Sequence, residues 1–145
     1  MIIRNVFSSL VKFCQDKITE IKDLDLSTNM TFINLDAHSN ITELAYIDYL
    51  GLTGFTVGVD DKIHTVNVAF AVILAQDENL LRHMEIMNLL YSALQPEKQL
   101  VYYDAVTGDA LSWLVIQNGT DLLPVSRDEL RALQFVSVTM LLNPN

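Results

Sequence analysis

Phe55-Thr56-Val57-Gly58-Val59, then Asp60-Asp61-Lys62, then Ile63-His64-Thr65-Val66-Asn67-Val68-Ala69-Phe70-Ala71-Val72-Ile73-Leu74-Ala75 reads as a β-hairpin. β-Branched and aromatic residues flank a short, charged, turn-prone segment, which is a strong local signal for two antiparallel strands. Within the second arm, Val66, Val68, Phe70, Val72 and Leu74 share one face. Thr65, Asn67, Ala69, Ala71 and Ile73 share the other, which is small and mostly uncharged. Such a strand suits a sheet packed by a helix on one side and approached closely on the other.

Upstream of the hairpin, Ile3, Phe7, Leu10, Cys14, Ile18 and Ile21 recur at steps of three and four. That spacing predicts a helix from about Ile3 to Asp23, with Lys12, Asp16, Lys17, Glu20 and Lys22 on its other side. Thr31-Phe32-Ile33-Asn34-Leu35 reads as a short strand. Two readings stand for Asp36 to Leu52. One is a short helix capped by Asn40, carrying Leu44, Ile47 and Tyr49-Leu50 and ending at Gly51; the other is a packed loop.

Downstream, Asp77 offers an N-cap with Glu78 in the first turn. The predicted helix carries Leu80, Met84, Met87, Tyr91 and Leu94 on one stripe, widened by Leu81 and Leu90, and Pro96 lies past its end. Strands are expected over Gln99–Val106 and Leu111–Gln117, joined by Thr107-Gly108-Asp109, with a turn at Asn118-Gly119. Ser126 and Glu129 have capping-box spacing for a single helical turn. Leu133 to Leu142 closes the chain as a strand, with Phe135 on one face and Val136, Val138, Met140 and Leu142 on the other. This order predicts one α+β domain over residues 1–145. Its sheet is mainly antiparallel with extended hairpins, packed by the N-terminal helix and a central amphipathic helix.

The 145 residues suffice for one domain with a proper core. A formal charge of −9 argues against tight nucleic-acid binding, which depends on Lys and Arg displacing counterions. On charge alone, acidity that keeps an apolar protein soluble is the simpler account. Half of the residues are hydrophobic and mean hydropathy is +0.27, which leaves apolar surface for partners. The single cysteine, Cys14, excludes an internal disulfide and sits on the apolar helix stripe, where a thiol behaves as a small hydrophobe. The sequence contains neither a signal-peptide pattern nor an uncharged run of membrane-spanning length, so a reducing cytoplasm is the expected compartment.

His38, His64 and His83 lie far apart and at no metal-ligand spacing. Asp60-Asp61 and Asp77-Glu78 are adjacent acids of the kind found at a turn tip and a helix start. Gly51-Leu52-Thr53-Gly54 lacks the following helix and Lys of a phosphate loop, and neither a nucleophile elbow nor a Cys-x-x-Cys pair is present. Tyr102, Tyr103 and Trp113, without flanking Lys or Arg, read as cross-strand packing rather than a base-stacking platform. No catalytic, cofactor or metal residue is therefore singled out, and action by contact rather than by catalysis is expected.

Gly51-Leu52-Thr53-Gly54-Phe55-Thr56-Val57 leads into a long strand, then Asp77-Glu78-Asn79-Leu80-Leu81-Arg82 and a helix ending in Leu89-Leu90-Tyr91. Tyr103-Asp104-Ala105-Val106-Thr107-Gly108, Leu123-Pro124-Val125-Ser126-Arg127 and Glu129-Leu130-Arg131-Ala132-Leu133-Gln134-Phe135-Val136-Ser137-Val138 follow. From about Thr53 to the end, this pattern resembles the tail terminator, or tail completion, proteins of bacteriophages. The resemblance implies a structural virion protein that forms a homohexameric ring on the head-proximal end of the tail tube. There it would stop tube polymerisation and present the surface that joins the head connector. The implied partners are further copies of the chain, the tail tube protein and sheath, and the connector or neck proteins. Genomic DNA would pass through the channel without specific binding, and no membrane or cofactor is involved. The implied location is the virion tail, after assembly in the host cytoplasm.

Under that resemblance, Phe55, Val57, Ile63 and Thr65 of the hairpin, with Phe135 and Ser137 of the last strand, are the expected ring contacts. Arg127 and Arg131 would pair with a neighbour's carboxylates, or equally with carboxylates of their own chain. Asp60, Asp61 and Asp109 are the candidate channel-facing acids, with outward-facing solvated turns as the alternative. Two other readings compete: another neck or connector-joining protein of a phage or phage-like contractile machine, and a small α+β ligand-binding domain or enzyme.

Overall fold

The computed structural model describes residues 1–34, 48–75, 80–117, 120–127 and 131–142. The hairpin is its centre: β2 (Tyr49–Asp60) pairs antiparallel with β3 (Ile63–Ala75) around a turn at Asp61-Lys62. Both turn residues have left-handed φ, 52° and 70°, as a two-residue turn between right-twisted strands requires. β3 then pairs antiparallel along its length with β8 (Arg131–Leu142).

Two further strands, β4 (Gln99–Tyr103) and β5 (Ala110–Ile116), form the second hairpin. β5 joins the far end of β8, and a short β1 (Thr31–Asn34) pairs parallel with the start of β2. The order is β1-β2-β3-β8-β5-β4, with β6 (Asp121–Leu122) and β7 (Ser126–Arg127) pairing antiparallel with β8. The mainly antiparallel α+β architecture is the one expected from the sequence.

Helix α1 (Ile2–Asp23) lies in the concave side of this sheet and touches β4 at one margin and β1 and β2 at the other. The sheet is thus curled around α1. Val66, Val68, Phe70, Val72 and Leu74 of β3 and Val136, Val138 and Met140 of β8 are buried in the same cluster as Val6, Leu10, Cys14 and Ile18 of the helix. Burial of that apolar surface, at about 25 cal/mol per Å², dominates the stability. Burial also pushes the Cys14 thiol pKa far up, so it stays neutral as a core residue.

Leu10, Cys14, Ile18 and Ile21 are buried on the expected stripe, and the departure is confined to the first turns of the helix. Ile3 is 62% exposed, whereas Asn5 and Ser9 are buried. The reason is hydrogen bonding across about a hundred residues of chain. Ser9 Oγ accepts from Tyr103 N at 2.8 Å, and Asn5 Oδ1 accepts from Ala105 N at 2.9 Å. Buried polar groups are tolerated where they satisfy donors in this way.

Helix α2 (Leu81–Ala93) follows Leu80, whose left-handed φ of 55° starts it without a side-chain cap. Asp77 and Glu78 lie outside the described residues. The buried face is His83, Ile86, Met87 and Leu90 rather than the stripe through Met84, which is 52% exposed, and Leu81, 59% exposed. His83 belongs inside because its Nε2 lies 3.0 Å from Gln134 Oε1, while Gln134 Nε2 donates to Leu123 O at 2.8 Å. The donating amide fixes the Gln134 oxygen toward His83, so the histidine donates from Nε2.

Three further expectations change. Tyr49, Leu50 and Gly51 belong to β2, so no helix ends at Gly51; Asn40, Leu44 and Ile47 lie outside the described residues. Ser126 and Arg127 pair with Leu133 and Ala132 as β7, because β8 offers them a ladder that a lone helical turn lacks. β4 stops at Tyr103, where Asp104 closes a turn: its Oδ1 accepts from Val106 N at 2.8 Å and Thr107 N at 3.0 Å. Those two amides hold the Asp104 carboxyl below its ordinary pKa.

Candidate assembly surface

Alternation along β2 breaks once. Tyr49 and Gly51 pair with Ile73 and Ala71 on the convex side, and Leu50 and Leu52 face the core. The register then shifts between Leu52 and Gly54, a bulge at which Gly54 adopts a φ of 146°, open to glycine. Thr53 Oγ1 donates to Ala69 O at 3.0 Å across it. Beyond the bulge the phase is inverted, and Phe55 and Val57 pack on the core side. The Phe55 ring stacks on Phe7 of α1 at a centroid distance of 6.1 Å.

The bulge also marks where the edge of the sheet becomes open. β1 covers β2 only from Tyr49 to Leu52. From Gly54 to Val59 the outer side of β2 has no strand partner among the described residues, and this stretch carries no charge and no proline. The two-residue turn makes Asp60 and Ile63 a bonded pair, so alternate residues Phe55, Val57 and Val59 direct their N–H and C=O groups outward. Phe55 and Val57 therefore serve both environments: side chains inside, backbone on the open edge.

β4 is the other margin of the main path. Ile116 N donates to Lys98 O at 2.8 Å, so the ladder alternation leaves Gln99, Val101 and Tyr103 facing outward. Ser9 takes up the Tyr103 amide; no partner for the outward backbone of Gln99 and Val101 occurs among the described residues. Between this edge and α1 runs a groove of about 390 Å³, lined by Lys12, Phe13, Asp16, Lys17, Glu20 and Lys98 among others. Lys12 pairs with Asp16 at 3.6 Å and Lys17 with Glu20 at 3.1 Å, both on the surface.

The convex face between these edges has three zones. Tyr49, Ala71 and Ile73 are buried with Ile33, Leu133 and Phe135 packed on them. The Tyr49 hydroxyl has no hydrogen-bond partner among the described residues; burial raises its pKa, with the charge of Arg131 opposing. A shallow depression of about 440 Å³ follows, lined by Thr53, Gly54, Thr56, Asn67, Ala69 and Ser137 among others. Nearest the hairpin turns, Ile63 and Trp113 are each 43% exposed, and Val101 and Leu141 flank them, half-buried.

Five of the expected contact residues, Ile63, Thr65, Arg131, Phe135 and Ser137, lie on this convex face but are spread along it. Ile63 and Thr65 sit at the hairpin-turn end, Ser137 and Phe135 opposite Ala69 and Ala71, and Arg131 opposite Ala75 at the other end. Arg127 contributes backbone to β7. Asp60 ends β2, and Asp61 and Asp109 are exposed at the two hairpin turns, which the register places at the same end of the sheet. Tyr102 faces the core, whereas Trp113 pairs with Val101 on the convex side, so no aromatic platform forms.

What sequence reasoning missed is the pair of open edges. An edge is a property of strand order, which side-chain pattern does not encode; the one available signal was the uncharged Gly54–Val59 run ending in two acids. Among the described residues, no group of three His, Cys, Asp or Glu is placed to hold a metal ion. No described helix is long and apolar enough to cross a membrane. No family model matches the sequence, and no curated protein matches it at a significant level.

Proposed function

We propose that this chain is a structural subunit of the phage tail-terminator kind: a ring that caps the tail tube, ends its polymerisation and presents a face to the head connector. The observation that carries the reading is the uncharged outer edge of β2 from Gly54 to Val59, which has no strand partner among the described residues. A strand edge of that length, unprotected by charge or proline, invites pairing with another chain, and monomeric proteins generally blunt such edges. The adjoining convex face, with Ile63 and Trp113 partly exposed, adds apolar area to the same contact.

A ring requires a head-to-tail contact between two different surfaces of each subunit, with a rotation that closes. Two unlike edges, one uncharged and one bordered by Lys12, Lys17 and Lys98 with Asp16 and Glu20, supply such a pair. The acids at the two hairpin turns, gathered at one end of the sheet, would repel the DNA backbone if that end lines the channel.

The test is light scattering coupled to size exclusion, with negative-stain imaging, on the protein alone and mixed with polymerising tail tube protein. Six-fold rings with an open centre, or caps at tube ends that shorten the tubes, are expected. A protein that stays monomeric and leaves tube length unchanged would refute the reading.

A further inference from the structure

We infer that the groove between α1 and β4 receives the β2 edge of a second copy of this chain, as an antiparallel strand added to β4. The inference rests on the ring-subunit reading and names the two surfaces that meet. Both edges present outward backbone at alternate residues, Phe55, Val57 and Val59 on one and Gln99 and Val101 on the other. Addition of a strand to such an edge satisfies these groups directly, with side-chain pockets setting the register.

Two features choose the direction. The Tyr103 end of β4 is closed, because Ser9 occupies its amide, so an added strand must extend toward Lys98. The groove holds Lys12, Lys17 and Lys98 against Asp16 and Glu20, a net positive site in a protein of net charge −9, and Lys98 stands at that open end. The β2 edge ends in Asp60-Asp61. Antiparallel pairing of Val57 with Val101 and Val59 with Gln99 sets Asp60 opposite Lys98. The parallel alternative would carry those acids to the closed end. The Lys12–Asp16 pair already in the groove is exposed on both sides and contributes little, so it offers scant competition to an incoming carboxylate.

The register is tested by intermolecular cross-linking. Val59 is 65% exposed and Gln99 is exposed, so cysteines can be introduced at both without opening the core, and the native Cys14 is buried. Directly bonded antiparallel partners lie about 5.5 Å apart at Cα, within disulfide range. The Val59→Cys/Gln99→Cys chain should give a ladder of covalent oligomers under mild oxidation, while either single variant stops at dimers. Lys98→Glu should weaken association at least tenfold, and Asp60→Lys in the same chain should restore it.

Rings without the ladder would overturn this pairing and leave the ring-subunit reading standing. A ladder with open filaments in place of rings would support the pairing and defeat the closed-ring reading. Neither assembly nor ladder, with thermal melting unchanged, would overturn the pairing and leave the groove lysines as charges that keep the β4 edge unpaired. If the double-cysteine chain misfolds, hydrogen exchange on the native protein decides. Gln99 and Val101 amides should gain protection as concentration drives assembly, and unchanged exchange in assembled protein would overturn the pairing.

Discussion

Replacing Ser9 by Ala should loosen the β4 margin by a calculable amount. Ser9 Oγ donates to Asn5 O at 2.7 Å and accepts from Tyr103 N at 2.8 Å. Losing the first bond costs little, because Asn5 O already belongs to the helical ladder. Losing the second leaves a half-buried amide without a partner, which costs about 1–3 kcal/mol. The higher helix propensity of Ala returns roughly 0.5 kcal/mol. The net expectation is about 0.5–2.5 kcal/mol, a fall in Tm of roughly 2–8 °C for a chain of this size.

Urea denaturation measures the stability, and hydrogen exchange at Tyr103 locates the effect. Tyr103 should exchange faster while amides of the β3–β8 ladder slow or quicken only with global stability. Ser9→Thr, which keeps the hydroxyl, should retain most of the stability. A loss below about 0.3 kcal/mol with Tyr103 exchange unchanged would refute the idea that α1 closes this end of the edge.

Phe70, fully buried against Phe13 at a centroid distance of 5.5 Å, should cost about 3–5 kcal/mol on replacement by Ala, read as a lower urea midpoint. The Val106 and Thr107 amides hold the folded pKa of Asp104 below that of an ordinary aspartate, so its contribution is complete above the ordinary value and disappears as pH falls through the lower folded one. An NMR titration of its carboxyl carbon should therefore show a depressed midpoint, and an ordinary one would remove the turn argument. Cys14 should react with a thiol reagent only as fast as the core opens, so its modification rate should rise with urea; rapid labelling of native protein would contradict its burial.

Much of this architecture was legible in the sequence, and the failures have physical causes. The β2–β3 hairpin, α1, α2 and β8 were readable because their apolar periods are long. The first turns of α1 were less so, since Asn5 and Ser9 are polar yet buried, and their partners lie in the second hairpin. His83 displaced Met84 from the core for a similar reason, through Gln134. Tyr49 to Leu52 reads in the sequence as either the end of a short helix or a packed loop, because the bulge between Leu52 and Gly54 interrupts the strand alternation. Of the candidate surface, the convex-face residues were found from strand pattern, whereas the edges appear only once strand order is known.

The curl of the sheet around α1 has a consequence in time. The helix is synthesised first, yet the amides that Ser9 and Asn5 engage lie 94 and 100 positions later. At typical synthesis rates of about 5–20 residues per second, the Asn5 and Ser9 side of α1 therefore waits roughly 5–20 s on the ribosome for its partners. The strand that completes the core, β8, is later still. Nascent chains should thus call on holding chaperones late into their synthesis, and the protein matures only after release.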